Sequence, residues 1–124
     1  MLTNSKQPRK QRKSRFTVPF HKLHHLVNVH LSKEAKEKLN TKRRCIAVKK
    51  GDRVKIMAGE NRGKVGKVTS VDLKGTKVFV EGIARKKSKG GEAMVPLDPS
   101  KLLITDAVLD NYRKKLLERT VKIV

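Results

Sequence analysis

The sequence predicts a mainly β protein: a small curled barrel of five strands, preceded by a basic extension and flanked by short N- and C-terminal helices. Three observations predict it. Over residues 45–109 apolar side chains recur with period two, broken by Gly, Asp and Pro. Residues 1–31 hold seven Lys or Arg and no acid. The chain has 124 residues, 36% of them hydrophobic and 3% aromatic, with no Trp. That is enough for one small core and too little to bury most of its length. Four parts follow: a basic arm (1–31), a short helix and linker (32–44), the barrel (45–109) and a C-terminal helix (110–124).

Each element has a local cause. The first fifteen residues have little to bury and cannot offset the entropy of ordering, so they are expected to stay extended until a partner orders them. Phe16, Val18, Phe20, Leu23, Leu26, Val27 and Val29 then supply apolar groups. Of these, Leu23, Leu26 and Val27 can line one face of a short helix after Pro19. Ser32 is a natural cap for a helix over 33–39, with Glu34 near the positive end of its dipole and Asn40 as the stop. So short a helix must dock to persist.

The five strands are placed at 53–57, 65–72, 77–81, 94–97 and 101–104. Glycines at both ends of 59–63 turn the first strand into the second. Val68 and Val71 stand three apart, which breaks the alternation and points to a bulge. Lys74-Gly75 turns the chain again. Residues 84–91 carry four bases and little that packs, so they read as an exposed basic loop. Pro96 places the fourth strand at a sheet edge, and Asp98-Pro99-Ser100 turns into the fifth. Asp110 caps the C-terminal helix; Tyr112 and Leu116, at i and i+4, form its docking face, and its run of bases suits a solvated or phosphate-facing side.

Charge selects the partner. With 32 Lys+Arg against 11 Asp+Glu, the net charge is +21. Self-repulsion on that scale opposes compaction unless phosphates or counterions offset it, and each nucleic-acid phosphate neutralised releases a condensed counterion. A membrane binder would gather its bases on one helix face opposite Leu, Phe or Trp; here they are spread over arm, loops and strands. No run of 18 apolar residues spans a bilayer, and the N-terminus lacks a signal-peptide stretch, so an intracellular protein is expected. One cysteine, Cys45, excludes an intramolecular disulfide and reads as a small buried hydrophobe at a strand start.

The stretch Lys50-Gly51-Asp52-Arg53-Val54-Lys55-Ile56-Met57-Ala58-Gly59-Glu60-Asn61-Arg62-Gly63-Lys64-Val65-Gly66-Lys67-Val68 is the most specific signal in the chain. Gly51-Asp52 turns into a strand whose Val54 and Ile56 point inward. Gly59 and Gly63 permit turn angles closed to other residues, and Gly66 allows close backbone approach. Arg62, Lys64 and Lys67 then protrude from a rigid base. This stretch resembles the KOW motif of ribosomal proteins and transcription elongation factors, which implies an SH3-like barrel.

The flanks narrow the resemblance: 5–13, Pro19-Phe20-His21, the helix after Leu31-Ser32, 99–102 and 109–115 occur in that order. Over residues 5 to about 119 the chain is similar to the large-subunit ribosomal proteins numbered twenty-four in archaea and twenty-six in eukaryotes. The N-terminal extension separates it from the bacterial counterpart, and the lack of a long eukaryotic tail favours the archaeal branch. The resemblance implies binding to large-subunit ribosomal RNA early in assembly, beside neighbouring ribosomal proteins. It also implies a place near the nascent-chain tunnel exit and a cytoplasmic, ribosomal location.

The candidate RNA-binding residues are Lys6, Arg9, Lys10, Arg12, Lys13, Arg15, His21, Lys22, His24 and His25 in the arm, and Arg43, Arg44, Lys49 and Lys50 before the first long strand. Arg62, Lys64 and Lys67 stand around the glycine turn, Arg85, Lys86, Lys87 and Lys89 in the basic loop, and Lys101 before the last strand. Arginine can pair with phosphate bidentately and lysine cannot. The arm also suits a solvated tail or a nuclear localisation signal, and the basic loop a solvated hairpin end. His21, His24 and His25 lie close enough to suggest a metal, but no carboxylate or second thiol is near and the surroundings are cationic. Base stacking or phosphate hydrogen bonding fits them better. Gly59 to Lys64 lacks the spacing and the Lys-Ser/Thr ending of a nucleotide loop. No cofactor, metal or small-molecule substrate is expected. An enzyme would need paired carboxylates or a nucleophile with a base. An elongation factor would need a polymerase-binding α/β domain, for which no stretch remains.

Overall fold

The computed structural model describes residues 4–121; residues 1–3 of the arm and 122–124 of the C-terminal segment lie outside it. The arm holds α1 (Pro8–Phe16) and a 3-10 helix (Phe20–Val27), then β1 (Asn28–Leu31). Next come α2 (Lys33–Lys38), β2 (Cys45–Ala47), β3 (Arg53–Ile56), β4 (Val65–Asp72) and β5 (Lys77–Val80). The rest is β6 (Ala84–Lys86), β7 (Glu92–Met94), a 3-10 turn (Pro99–Lys101), β8 (Leu102–Asp106) and α3 (Asn111–Val121). Six strands form one sheet in the order β2-β1-β8-β3-β4-β5, and β6-β7 is a separate hairpin. Every pairing is antiparallel except β1 with β8, where His30 faces Leu103 and Leu31 faces Ile104.

The fold is therefore mainly β with small helices, but among the described residues the sheet runs from edge to edge and does not close. Two features of the chain explain why. Residues 28–31, assigned by sequence to the arm, join β8 and carry β2 with them, which adds two strands on that side. Closure on the other side needs a strand at 94–97 along β5. Pro96 has no N–H to give to a ladder, and the contact shrinks to one bridge, Val78 with Leu97, each donating N–H to the other's carbonyl at 2.9 Å.

The core sits on the sheet's inner face: Val29, Val54, Ile56, Val68, Val78, Val80, Leu102 and Ile104 are each 1% exposed or less. Burying each such side chain contributes about 1.5–3 kcal/mol relative to leaving it in water. The register breaks between Val68 and Ser70, the expected bulge, and again between Arg53 and Val54. At Gly66 an added Cβ would lie 2.6 Å from Val80 Cγ1 and 2.8 Å from the Glu81 carbonyl oxygen, so this position requires glycine. Gly59 and Gly63, at φ +97° and +89°, have the turn angles anticipated for them.

The helices follow their caps. Ser32 Oγ accepts from Ala35 N at 3.0 Å, and Asp110 Oδ1 accepts from Arg113 N at 2.8 Å. Four expectations need correction. The arm is helical, not extended, over Pro8–Phe16: Pro8 opens α1, and Arg, Lys and Gln are good helix formers that need no burial to favour the helix. Ala84–Lys86, expected to be loop, pairs with Glu92–Met94. On α3 the packed residues are Arg113 and Leu117, while Tyr112 is 59% exposed, because Arg113 is drawn inward. Cys45 is half-buried, since β2 is an edge strand.

Candidate nucleic-acid interface

The strongest electrostatic feature is internal. Asp52, 0% exposed, accepts from Arg113 Nη1 at 2.7 Å and Nη2 at 2.6 Å, from Lys49 N at 2.8 Å and from Val108 N at 2.9 Å. The guanidinium also donates to the carbonyls of Val108 at 2.8 Å and Ala47 at 2.6 Å. This cluster ties α3 to the turn that begins β3. Arg113 belongs to the run of bases assigned by sequence to solvent or phosphate, yet it is buried. The one hint in the sequence is Asp52, an acid amid bases in a turn that packs against the core.

Around this body the candidate cations point outward. His24, Arg43 and Lys49 are half-buried; Lys6, Arg9, Lys10, Arg12, Lys13, Arg15, His21, Lys22, His25, Arg44, Lys50, Arg62, Lys64, Lys67, Arg85, Lys86, Lys87, Lys89 and Lys101 are exposed. They fall into groups. The first is α1, which has no buried residue and reaches the β4–β5 turn through Arg15 Nη2, 3.4 Å from Thr76 Oγ1.

The second group surrounds the β3–β4 turn. Gly63 N donates to the Ile56 carbonyl at 2.8 Å and Ile56 N to the Lys64 carbonyl at 2.9 Å, which holds Arg62 and Lys64 on a fixed bend. Met57 N donates to the Lys101 carbonyl at 2.8 Å, so Lys101 stands at the base of the same bend. The third lines two adjoining clefts. Lys50 and Lys67 share one with Gly51, Thr69, Glu81 and Glu92. His24, Lys49 and Lys50 rim the other, whose floor includes Val27, Val48 and Val71. Fourth, Arg85 and Lys86 on β6 and Lys87 and Lys89 at the hairpin tip are set apart on the two-stranded ribbon. Arg43 and Arg44 lead into β2, where the Arg44 carbonyl accepts from Leu31 N at 3.0 Å.

Some cations are engaged within the protein. Lys49 pairs with Asp110 and lies 5.6 Å from the centroid of the Tyr112 ring. Asp98 pairs with Lys77 and, at 3.6 Å, with Lys101. The Lys77 hydrogen bond holds the Asp98 carboxyl below its ordinary value, and the Lys49 hydrogen bond does the same for Asp110. The His24 and His25 rings are 4.0 Å apart. Partial desolvation, then the charges of His24 and Lys22, push the His25 imidazole below its usual pKa.

Arg53 and Lys55, not among the candidate residues above, are also turned outward by the alternation of β3. Phe16 and Phe20, two of the arm's apolar groups, are 90% and 72% exposed. Among the described residues no group of three or more His, Cys, Asp or Glu is placed to hold a metal. No described helix is long and apolar enough to cross a membrane.

Residues 5–120 match the family described as the ribosomal proteins numbered twenty-six in eukaryotes and twenty-four in archaea. The large ribosomal subunit protein uL24 of Methanosphaera stadtmanae is 47% identical over 110 residues, 89% of this chain and 92% of the relative. The protein of the same name from Pyrobaculum islandicum is 44% identical over 122 residues, 98% of both chains. Similarity at this level over almost the whole length, motif and extension together, means that the chain belongs to the ribosomal protein family that unites the eukaryotic number twenty-six with the archaeal number twenty-four.

Proposed function

We propose that this protein is a structural constituent of the large ribosomal subunit, not an enzyme, and that it binds ribosomal RNA through its basic arm and the turns of its sheet. The observation that carries the reading is α1: nine residues with five cations and no buried side chain, a segment that puts nothing into the core of its own fold. The sheet acts as the anchor that an SH3-like KOW barrel would be. It fixes the orientation of the Arg62–Lys64 bend, of Lys50 and Lys67, and of the β6–β7 ribbon. Folded RNA is bound mainly through shape, 2′-hydroxyls and phosphates, so few base-specific contacts are needed. Membership of the family supports a cytoplasmic, ribosomal location, neighbouring ribosomal proteins, early joining in assembly and a place near the tunnel exit. The division into basic arm (1–31), short helix and linker (32–44), KOW region (45–109) and C-terminal helix (110–124) is part of the same proposal, with residues 28–31 of the arm paired into the sheet.

The test is the salt dependence of binding to protein-free large-subunit RNA. The log–log slope of affinity against salt is expected to correspond to on the order of ten neutralised phosphates. A slope near zero would remove the mechanism.

A further inference from the structure

Helix α1 has an internal order that its composition hides. At roughly 100° per residue, Arg9, Arg12, Lys13 and Phe16 occupy i, i+3, i+4 and i+7 and so form one stripe. Arg15 lies roughly a third of a turn from the middle of that stripe and contacts Thr76 of the body. The Phe16 ring is 90% exposed. Single exposed apolar groups are common on protein surfaces, but this one stands in line with three cations on a helix with no buried residue. Like charges spaced i,i+3 and i,i+4 also repel along the stripe, a cost that a row of phosphates would offset.

We propose that this stripe lies along the bound RNA with the Phe16 ring stacked on an unpaired base. Arg9, Arg12 and Lys13 hold flanking phosphates, and Arg15 is a positioning residue that orients the helix through the β4–β5 turn. The proposal rests on the RNA-binding reading above and adds a base contact to it. The charge of the stripe favours a polyanion over an apolar protein surface, and the phenyl ring supplies the π-face that any unstacked base can use.

Stacking and charge separate cleanly in a salt titration of the full chain on protein-free large-subunit RNA. Phe16→Leu is expected to weaken binding roughly 5- to 100-fold at every salt concentration, with the log–log slope of the parent. Phe16→Tyr, which keeps the ring, is expected to bind like the parent. Arg12→Gln is expected to weaken binding and to flatten the slope by about one phosphate's share. The melting temperature of the free Phe16→Leu protein is expected to stay unchanged, because the ring buries nothing and leucine is at least as good a helix former.

If Phe16→Leu binds within twofold of the parent while the parent slope stays steep, the stacking contact falls and the electrostatic reading stands. Equal losses in the Leu and Tyr variants would also overturn it. A parent slope near zero would overturn both readings.

Discussion

Arg113 and Asp52 are 61 residues apart in the chain, and their side chains are 3% and 0% exposed. Removing one partner of such a pair leaves a buried charge uncompensated, at about 3–5 kcal/mol. Arg113→Met is therefore expected to lose that much in urea denaturation. Arg113→Lys keeps the charge but not the two-pronged fork, and is expected to recover only part of it. The surface acids act more weakly and through pH. Asp98 and Asp110 are both more acidic in the folded chain than the ordinary 3.8. Their ionised forms therefore stabilise the fold above that value, and the contribution disappears as pH falls through the lowered pKa. The Asp98→Asn, Asp110→Asn double variant is expected to melt lower at neutral pH and to show a flatter decline of melting temperature below pH 4. The caps Ser32 and Asp110 were legible in the sequence because a cap acts within three residues. The partner of Asp52 was not, since no local pattern records a contact made across the fold.

Strands and turns obey the same division between local and distant causes. Alternation located β3, β4, β5 and β8, and the uneven spacing of Val68 and Val71 located the bulge. Gly66 shows how tightly two strands can approach when one lacks a Cβ. Gly66→Ala places a methyl against the Glu81 carbonyl as well as against Val80, and backbone cannot rotate away as a side chain can. The expected loss is roughly 1–3 kcal/mol by chemical denaturation. At Gly59 a Cβ would meet open space, so Gly59→Ala should cost only the roughly 1–2 kcal/mol of its left-handed backbone angle. The elements that escaped the sequence reading have no strong periodicity of their own. Four residues of β1 and three each of β6 and β7 are too few for a pattern, whereas the start of β2 at Cys45 was legible, and α1 buries nothing, so burial gives no sign of it.

On the scale of the whole molecule, stability and binding charge occupy different regions. The core lies within the sheet and its docked helices, whereas α1 meets the body through the Arg15–Thr76 contact and contributes no buried group. A chain lacking residues 1–17 is therefore expected to keep its cooperative melt within a few degrees of the parent. Six candidate bases go with that segment, and its salt slope on large-subunit RNA should fall by about four to five, with each base counted against one phosphate. Of the candidate interface, exposure of the cations was legible from charge and motif. Their grouping was not, because the proximity of Lys101 to the Arg62 bend and of Lys50 to Lys67 comes from the sheet order.

That order has one further effect. Among the described strands β8 alone pairs with both the β1–β2 ribbon and the β3–β4–β5 ladder, and it lies more than 70 residues after β1. During synthesis the two ribbons emerge before the strand that pairs with both, and that seam of the sheet can be sewn only when residues 102–106 arrive. Until then the basic arm is available while the body is still unfinished, so its encounter with RNA can precede the completion of its own fold.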